Sequence, residues 1–210
     1  MPEYETSEFA SGLRISLLLV LCMLGALGMG LQLVASRVLA PHFGSSIFVW
    51  AWLISTFLAA FSVGSFWGGM VSSMGRSRQM RWVFAGMALT VATLVVDSIA
   101  GQSFCSWLED HVEALLLQIP LACMGLYFMP VMTLSSITPI CIRICSGKSA
   151  EAGLSSGLVY GTSTVGNIVG VMLTAFVLIP RFPLSQIMYG WTAAAILLLG
   201  ALWFIIFQKL

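Results

Sequence analysis

The sequence predicts an all-α polytopic membrane protein with six transmembrane helices, forming one domain over residues 1–210. Three observations carry this. Hydrophobic residues make up 59% of the 210-residue chain and charged residues only 8%, with a mean hydropathy of +1.00. Soluble domains carry about 25% charged residues, and a water-soluble fold of this size cannot hide so much apolar surface. The apolar residues also gather into runs near the roughly 17–25 residues that cross a hydrocarbon core as a helix. Finally, Lys and Arg are distributed unevenly between the connections.

The six runs are Ile15–Val34, Ile47–Val71, Val83–Ile99, Leu115–Leu134, Leu158–Ile179 and Ile187–Phe207. The first follows an acidic start (Glu3, Glu5, Glu8) and Arg14. It exceeds the roughly 7–15 apolar residues of a secretion signal, so it reads as a retained helix. Bulky Leu21 before Cys22 does not suit lipidation. Ser36, Arg37, Pro41, His42 and Gly44 form a polar corner before the second run. The third run is the shortest and carries Asp97. The connection Gln102–Glu113 is amphipathic, with Phe104, Trp107 and Leu108 expected to face lipid from the membrane surface. The fourth run carries Pro120 and Pro130, where bends are expected. The connection Ser135–Ser156 holds Pro139, Arg143, Lys148 and Glu151 and is expected to form a short interfacial helix. Trp50, Trp82 and Trp107 lie near run ends, as interfacial aromatics do. If runs one to three and four to six were repeated triplets, the odd number of spans in each would make them inverted; the Gly64/Gly68 and Gly166/Gly170 pairs in their middle helices are a weak sign of this, since such pairs are common in membrane helices.

Seven of the nine Lys and Arg residues fall on one side: Arg14, Arg76, Arg78, Arg81, Arg143, Lys148 and Lys209. Arg37 and Arg181 fall on the other, with Glu109, Asp110 and Glu113. The positive-inside rule then puts both termini in the cytoplasm. A net charge of +1 and the lack of a basic tail speak against nucleic-acid binding.

Several residues are candidates for function. Gly64 and Gly68 in run two, and Gly166 and Gly170 in run five, are small residues four apart that let helix backbones approach; Ala26 and Gly30 do the same in run one. They serve either packing within the bundle or a dimer interface. Asn167 lies near the middle of run five, one turn after Thr162, Ser163 and Thr164, with Tyr160 below. A buried amide needs a partner, so Asn167, Tyr160 and Ser163 form a candidate intramembrane polar contact, for a solute or for a neighbouring helix. Asp97 is the one acid inside a run, and an expected ion pair with Arg37 gives a candidate outer-face pocket of Arg37, His42 and Asp97. Cys141 and Cys145 are four apart but have no neighbouring His, a weak metal signal. No nucleophile–base set, metal set, P-loop or dinucleotide motif is present, so no catalytic residue, metal or cofactor is predicted, and the chain leans away from being an enzyme.

Three stretches carry a resemblance. Arg37-Val-Leu-Ala-Pro41-His-Phe-Gly44-Ser-Ser-Ile47-Phe-Val-Trp50, followed by Gly64-Ser-Phe-Trp-Gly68-Gly69, is the first. Ser136-Ile-Thr-Pro139-Ile-Cys-Ile-Arg143 is the second, and Gly157-Leu-Val-Tyr160 through Gly166-Asn-Ile-Val-Gly170 to Ile179-Pro180 is the third. In this order they resemble the membrane domain of bacterial membrane-bound spermidine synthase-like proteins, often called fused major-facilitator/spermidine synthase proteins. The resemblance implies a multi-pass protein of the bacterial inner membrane. In that family a cytoplasmic aminopropyltransferase domain, with a glycine-rich nucleotide motif and acidic polyamine ligands, usually follows; those features are not among these 210 residues. The expectation is a membrane-embedded subunit or scaffold in the lipid bilayer. It would dock another protein subunit on its cytoplasmic face or in the membrane. The other reading is a small-molecule transporter, with a polyamine as one candidate solute, working as a homodimer, since six helices are half of a twelve-helix carrier.

Overall fold

A computed structural model of the chain describes residues 2–145 and 152–209. The described residues are almost entirely helical, with no strand among them. Six helical segments are long and apolar enough to cross a membrane: Arg14–Phe43, Ile47–Ser73, Arg76–His111, Leu115–Arg143, Gly153–Arg181 and Leu184–Ile205. They follow the predicted runs and extend most of them. The first lies in α1 (Pro2–Phe43), the second is α2 (Ile47–Ser73) and the third is α3 (Arg76–His111). The fourth is built from α4 (Leu115–Cys123), a π-helical turn (Met124–Phe128), α5 (Met129–Ser135) and α6 (Ile137–Cys145). The fifth joins α7 (Ala152–Leu173), a second π-helical turn (Thr174–Leu178) and α8 (Ile179–Arg181), and the sixth is α9 (Leu184–Lys209).

Two sequence expectations are corrected by helix length. The polar corner is not a loop: Ser36, Arg37, Pro41 and His42 occupy the last two turns of α1, and the connection is only Gly44–Ser46. Gly44 ends the helix at φ 73°, and its N–H donates to the Ala40 carbonyl at 3.0 Å. A residue with a Cβ is disfavoured in this left-handed conformation. Ser46 then caps α2 by accepting from the Val49 N–H at 3.4 Å. Likewise Gln102–His111 is no separate surface helix but the last turns of α3, because nothing between Ile99 and His111 breaks a helix. Leu108 is buried there, while Trp107 is exposed and stacks on Phe104 and His111. The expected short helix after Ser135 is α6, with Ile137, Ile140 and Cys141 buried and Arg143 exposed. Lys148 and Glu151 lie outside the described residues.

The prolines explain both π turns. Proline clashes with the carbonyl four residues earlier and removes one helical donor. Pro130 and Pro180 each come two residues after a π turn, and their clash partners, Leu126 and Phe176, lie inside those turns. The wider turn makes room for the ring. In the fifth segment the Arg181 guanidinium donates to the Phe176 and Val177 carbonyls at 3.1 and 3.4 Å. The Arg181 cation therefore serves the Phe176 carbonyl, the helical acceptor that Pro180 cannot pair, and its neighbour Val177.

Side-by-side packing of glycines decides which helices meet. The most extensive contact is α1 with α7. A Cβ at Gly166 would strike the Cys22 backbone, and one at Gly170 the Ala26 backbone. On the other side of the bundle, a Cβ at Gly64 would strike Met132 and Ser135, and one at Gly68 the Ser136 backbone. Both contacts join parallel segments, the first with the fifth and the second with the fourth. Exchanging the two triplets of segments maps one contact onto the other, and also maps α1–α9 onto α3–α5 and α1–α2 onto α6–α7. The main contacts thus have the pattern an inverted repeat requires. The core between them is filled by Leu27, Leu31, Leu53, Phe57, Tyr127 and Leu202, all buried.

Candidate functional site

The close α1–α7 and α2–α5 contacts leave a gap where the two pairs face each other. It is a cleft of about 250 Å³ lined from α1 by Gly25 and Gly28, from α2 by Phe61 and Ser65, from α5 and α6 by Ser135 and Thr138, and from α7 by Tyr160, Ser163, Thr164 and Asn167. The three predicted residues Asn167, Tyr160 and Ser163 therefore share one wall. They do so because 160, 163, 164 and 167 follow the three- and four-residue spacing of one helix face. No lining residue is charged.

Glycine shapes the α1 wall. A Cβ at Gly25 would come within 2.5 Å of the Ser163 carbonyl and 2.9 Å of the Asn167 side chain. With its amide oriented to satisfy both neighbours, Asn167 donates to the Gly25 carbonyl at 2.9 Å and to the Ser163 carbonyl at 3.3 Å. One amide proton ties α7 to α1 through Gly25 and the other returns to α7 itself at Ser163, which leaves the amide oxygen as the remaining acceptor. The Thr164 hydroxyl donates to the Tyr160 carbonyl at 2.8 Å, and Ser135 donates to Met132 at 3.0 Å. The hydroxyls of Ser65, Thr138, Tyr160 and Ser163 bond to none of the described residues. A hydroxyl in a bilayer without a partner is costly. The cleft thus presents four accessible hydroxyls, those of Ser65, Thr138 and Ser163 half-buried and that of Tyr160 exposed, and one amide oxygen on an apolar floor. Ser65 and Thr138 were not singled out in the sequence; only their places beside Gly64 and Pro139 in the recurring motifs marked them.

The second predicted pocket does not assemble. Arg37 is exposed on the side of α1 that faces α2 and the end of the fifth segment, in a hollow shared with Ser36, Trp50 and Ile179. His42 turns the other way, to α3. Its Nδ1 lies 2.9 Å from a Glu109 carboxylate oxygen and its Nε2 lies 2.9 Å from Gln102 Oε1. Gln102 also donates to the Val38 carbonyl at 3.3 Å. His42–Glu109 is the one ion pair among the described residues, and the expected Arg37–Asp97 pair is not formed. Asp97 is 3% exposed, on the inner face of α3, and neither carboxylate oxygen has a hydrogen-bond partner. The separation follows from helix geometry: α1 runs on through His42, so Arg37 and His42, five residues apart, point to different neighbours. Gln102 and Glu109, two turns apart on one face of α3, were the missed partners.

Among the described residues no group of three or more His, Cys, Asp or Glu side chains is arranged to hold a metal ion. Cys141 is buried, and the Cys145 side chain lies outside the described residues. Compared with protein-family models, curated proteins and solved structures, the chain matches none of them.

Proposed function

We propose that this chain is the membrane-embedded half of a small-molecule carrier, binding a neutral polar solute in the cleft between α1, α2, α5–α6 and α7. The observation that carries this reading is the set of accessible hydroxyls of Ser65, Thr138, Tyr160 and Ser163, which bond to no other described residue, around an uncharged cleft of about 250 Å³. Ligand clefts usually measure about 300–1,000 Å³, so a small solute fits. Hydroxyls without a countercharge suit a hydroxyl- or amide-bearing molecule better than a polyamine, whose cations need buried acids. The inverted triplets support the same reading, since carriers build their solute sites at repeat interfaces near the bilayer midplane. A second copy covering the cleft would keep its hydroxyls from lipid. The protein sits in a bacterial inner membrane with the Arg76 end cytoplasmic, following the positive-inside rule.

The test is a thermal-stability screen of the detergent-purified chain with small neutral polyols, amides and sugars, and with spermidine as the charged comparison. A neutral solute should raise Tm, and Thr138→Val with Ser163→Ala should abolish that rise without changing Tm alone. A response to spermidine only, unchanged in the double variant, would refute this reading.

A second reading rests on the Arg76 end. Arg76, Arg78, Arg81 and Arg143 are all exposed there. This surface suits docking of an acidic soluble subunit, as the resemblance to spermidine synthase-like membrane domains implies. Gentle-detergent extraction from native membranes, with mass spectrometry of stoichiometric companions, separates the two: a fixed-ratio soluble partner favours docking, a pure homodimer favours the carrier.

A further inference from the structure

Asp97 is used by neither reading, and its surroundings are unusual for an acid in a membrane helix. Charged residues inside spans normally face a partner or a water-filled cavity. Asp97 lies 14 residues before the end of α3, roughly 21 Å from it at the helical rise. Its two oxygens are unpartnered, and the Tyr127 hydroxyl, fully buried on the fourth segment, is unpartnered too. Both are buried in the interior where α3 packs against the fourth segment. A carboxylate here would lack both a countercharge and hydrogen bonds.

The carboxyl also leans in a definite direction. A Cβ at Gly101 would come within 2.6 Å of Asp97 Oδ1, so the missing side chain one turn on is what gives the carboxyl its room. Asp97, Gly101, Cys105 and Glu109 follow at four-residue intervals on α3, a line that winds about 120° around the helix from the buried Asp97 to the exposed Glu109. This file of one small and three ionisable residues ends at the His42–Glu109 pair, on the end of the bundle away from Arg76. A hollow of about 170 Å³ borders Asp97 with Ala92, Thr93, Val96, Gly125 and Leu126. Hard metal cations need a cage of oxygens. Here only Thr93 adds a side-chain oxygen, and its hydroxyl already donates to the Leu89 and Thr90 carbonyls. A proton needs no cage.

We propose that Asp97 is a reversible proton-binding site inside the bundle, loaded from the His42 end of α3. A hydronium ion at the His42 end gives up the proton: one of its O–H bonds breaks as one O–H bond forms at the Asp97 carboxylate, and water is left. The ionisable groups packed around this path are Tyr127 and Cys123 on the fourth segment, Cys105 and Glu109 on α3, and His42 on α1. The segment α2 has no ionisable side chain, and those of α9 are Tyr189, which is exposed, and Lys209 at its far end. This inference stands apart from the solute cleft and does not rest on it.

The test is infrared difference spectroscopy of the purified full chain in lipid, stepped from alkaline to acidic pH. The wild type should gain a protonated-carboxyl C=O band. Asp97→Asn, matched to wild type by circular dichroism and gel filtration, should lose it, and Tyr127→Phe should move its midpoint. A band unchanged in Asp97→Asn, or no band in the wild type, overturns the proposal. If Asp97→Asn does not fold, labelling of the wild type with a hydrophobic carbodiimide decides instead. Modification of Asp97 that rises on acidification upholds the proposal, and modification absent or indifferent to pH overturns it.

Discussion

Gly166→Ala is the sharpest test of how the bundle is held together, because α7 contains its own control. Gly157 and Gly161 lie on the same helix with nothing within 4 Å of an added Cβ, whereas at Gly166 that Cβ would strike the Cys22 backbone of α1. At Gly161 the substitution only removes the helical penalty of glycine, a gain of about 1 kcal/mol at most. At Gly166 the same gain is offset by overpacking, which costs about 1–3 kcal/mol and sits at the upper end when backbone rather than a side-chain tip must yield. The two variants should therefore differ by about 3 kcal/mol, roughly a hundredfold in the unfolding equilibrium. Reversible unfolding in mixed detergent–SDS micelles, followed by tryptophan fluorescence, measures both. The α1–α7 contact also ties Asn167 to Gly25, so the loosened variant should lose compactness at the cleft. If Gly166→Ala and Gly161→Ala fall within about 0.5 kcal/mol of each other, the spread expected of substitutions that meet no obstacle, close glycine packing is not what joins α1 to α7.

Other outcomes follow from the same geometry. Asn167→Ala removes one donation across the α1–α7 seam, to Gly25, and one within α7, to Ser163, and a loss of about 0.5–1.7 kcal/mol in the same SDS titration is expected. A double-mutant cycle of His42→Gln and Glu109→Gln should give a coupling below about 1 kcal/mol, since Glu109 is well exposed; a coupling of several kcal/mol would mean the pair is desolvated. Gly44→Ala should cost about 1–2 kcal/mol through the left-handed backbone alone, with no change in solute-induced Tm shifts. Arg181→Gln should destabilise the bundle in wild type but much less once Pro180 is replaced by Ala, because the Phe176 carbonyl then regains its helical donor.

The membrane class and the six spans were legible because both depend on composition and run length, which lipid reads locally along the chain. The polar wall of the cleft was legible for a similar reason: Tyr160, Ser163 and Asn167 fall on one helix face at fixed spacing, whatever the helix packs against. The glycine pairs marked close approaches, but not the partners. Only the tertiary structure decided that Gly166 and Gly170 meet Cys22 and Ala26 while Gly64 and Gly68 meet the end of α5, since any small-residue face accepts several neighbours. The same limit undid the Arg37–Asp97 pair. Opposite charges in a sequence suggest a bond, but the direction in which each helix turns its side chains is set by packing over the whole bundle. That packing sent His42 to Glu109 and left Asp97 buried beside Gly101 without a partner among the described residues.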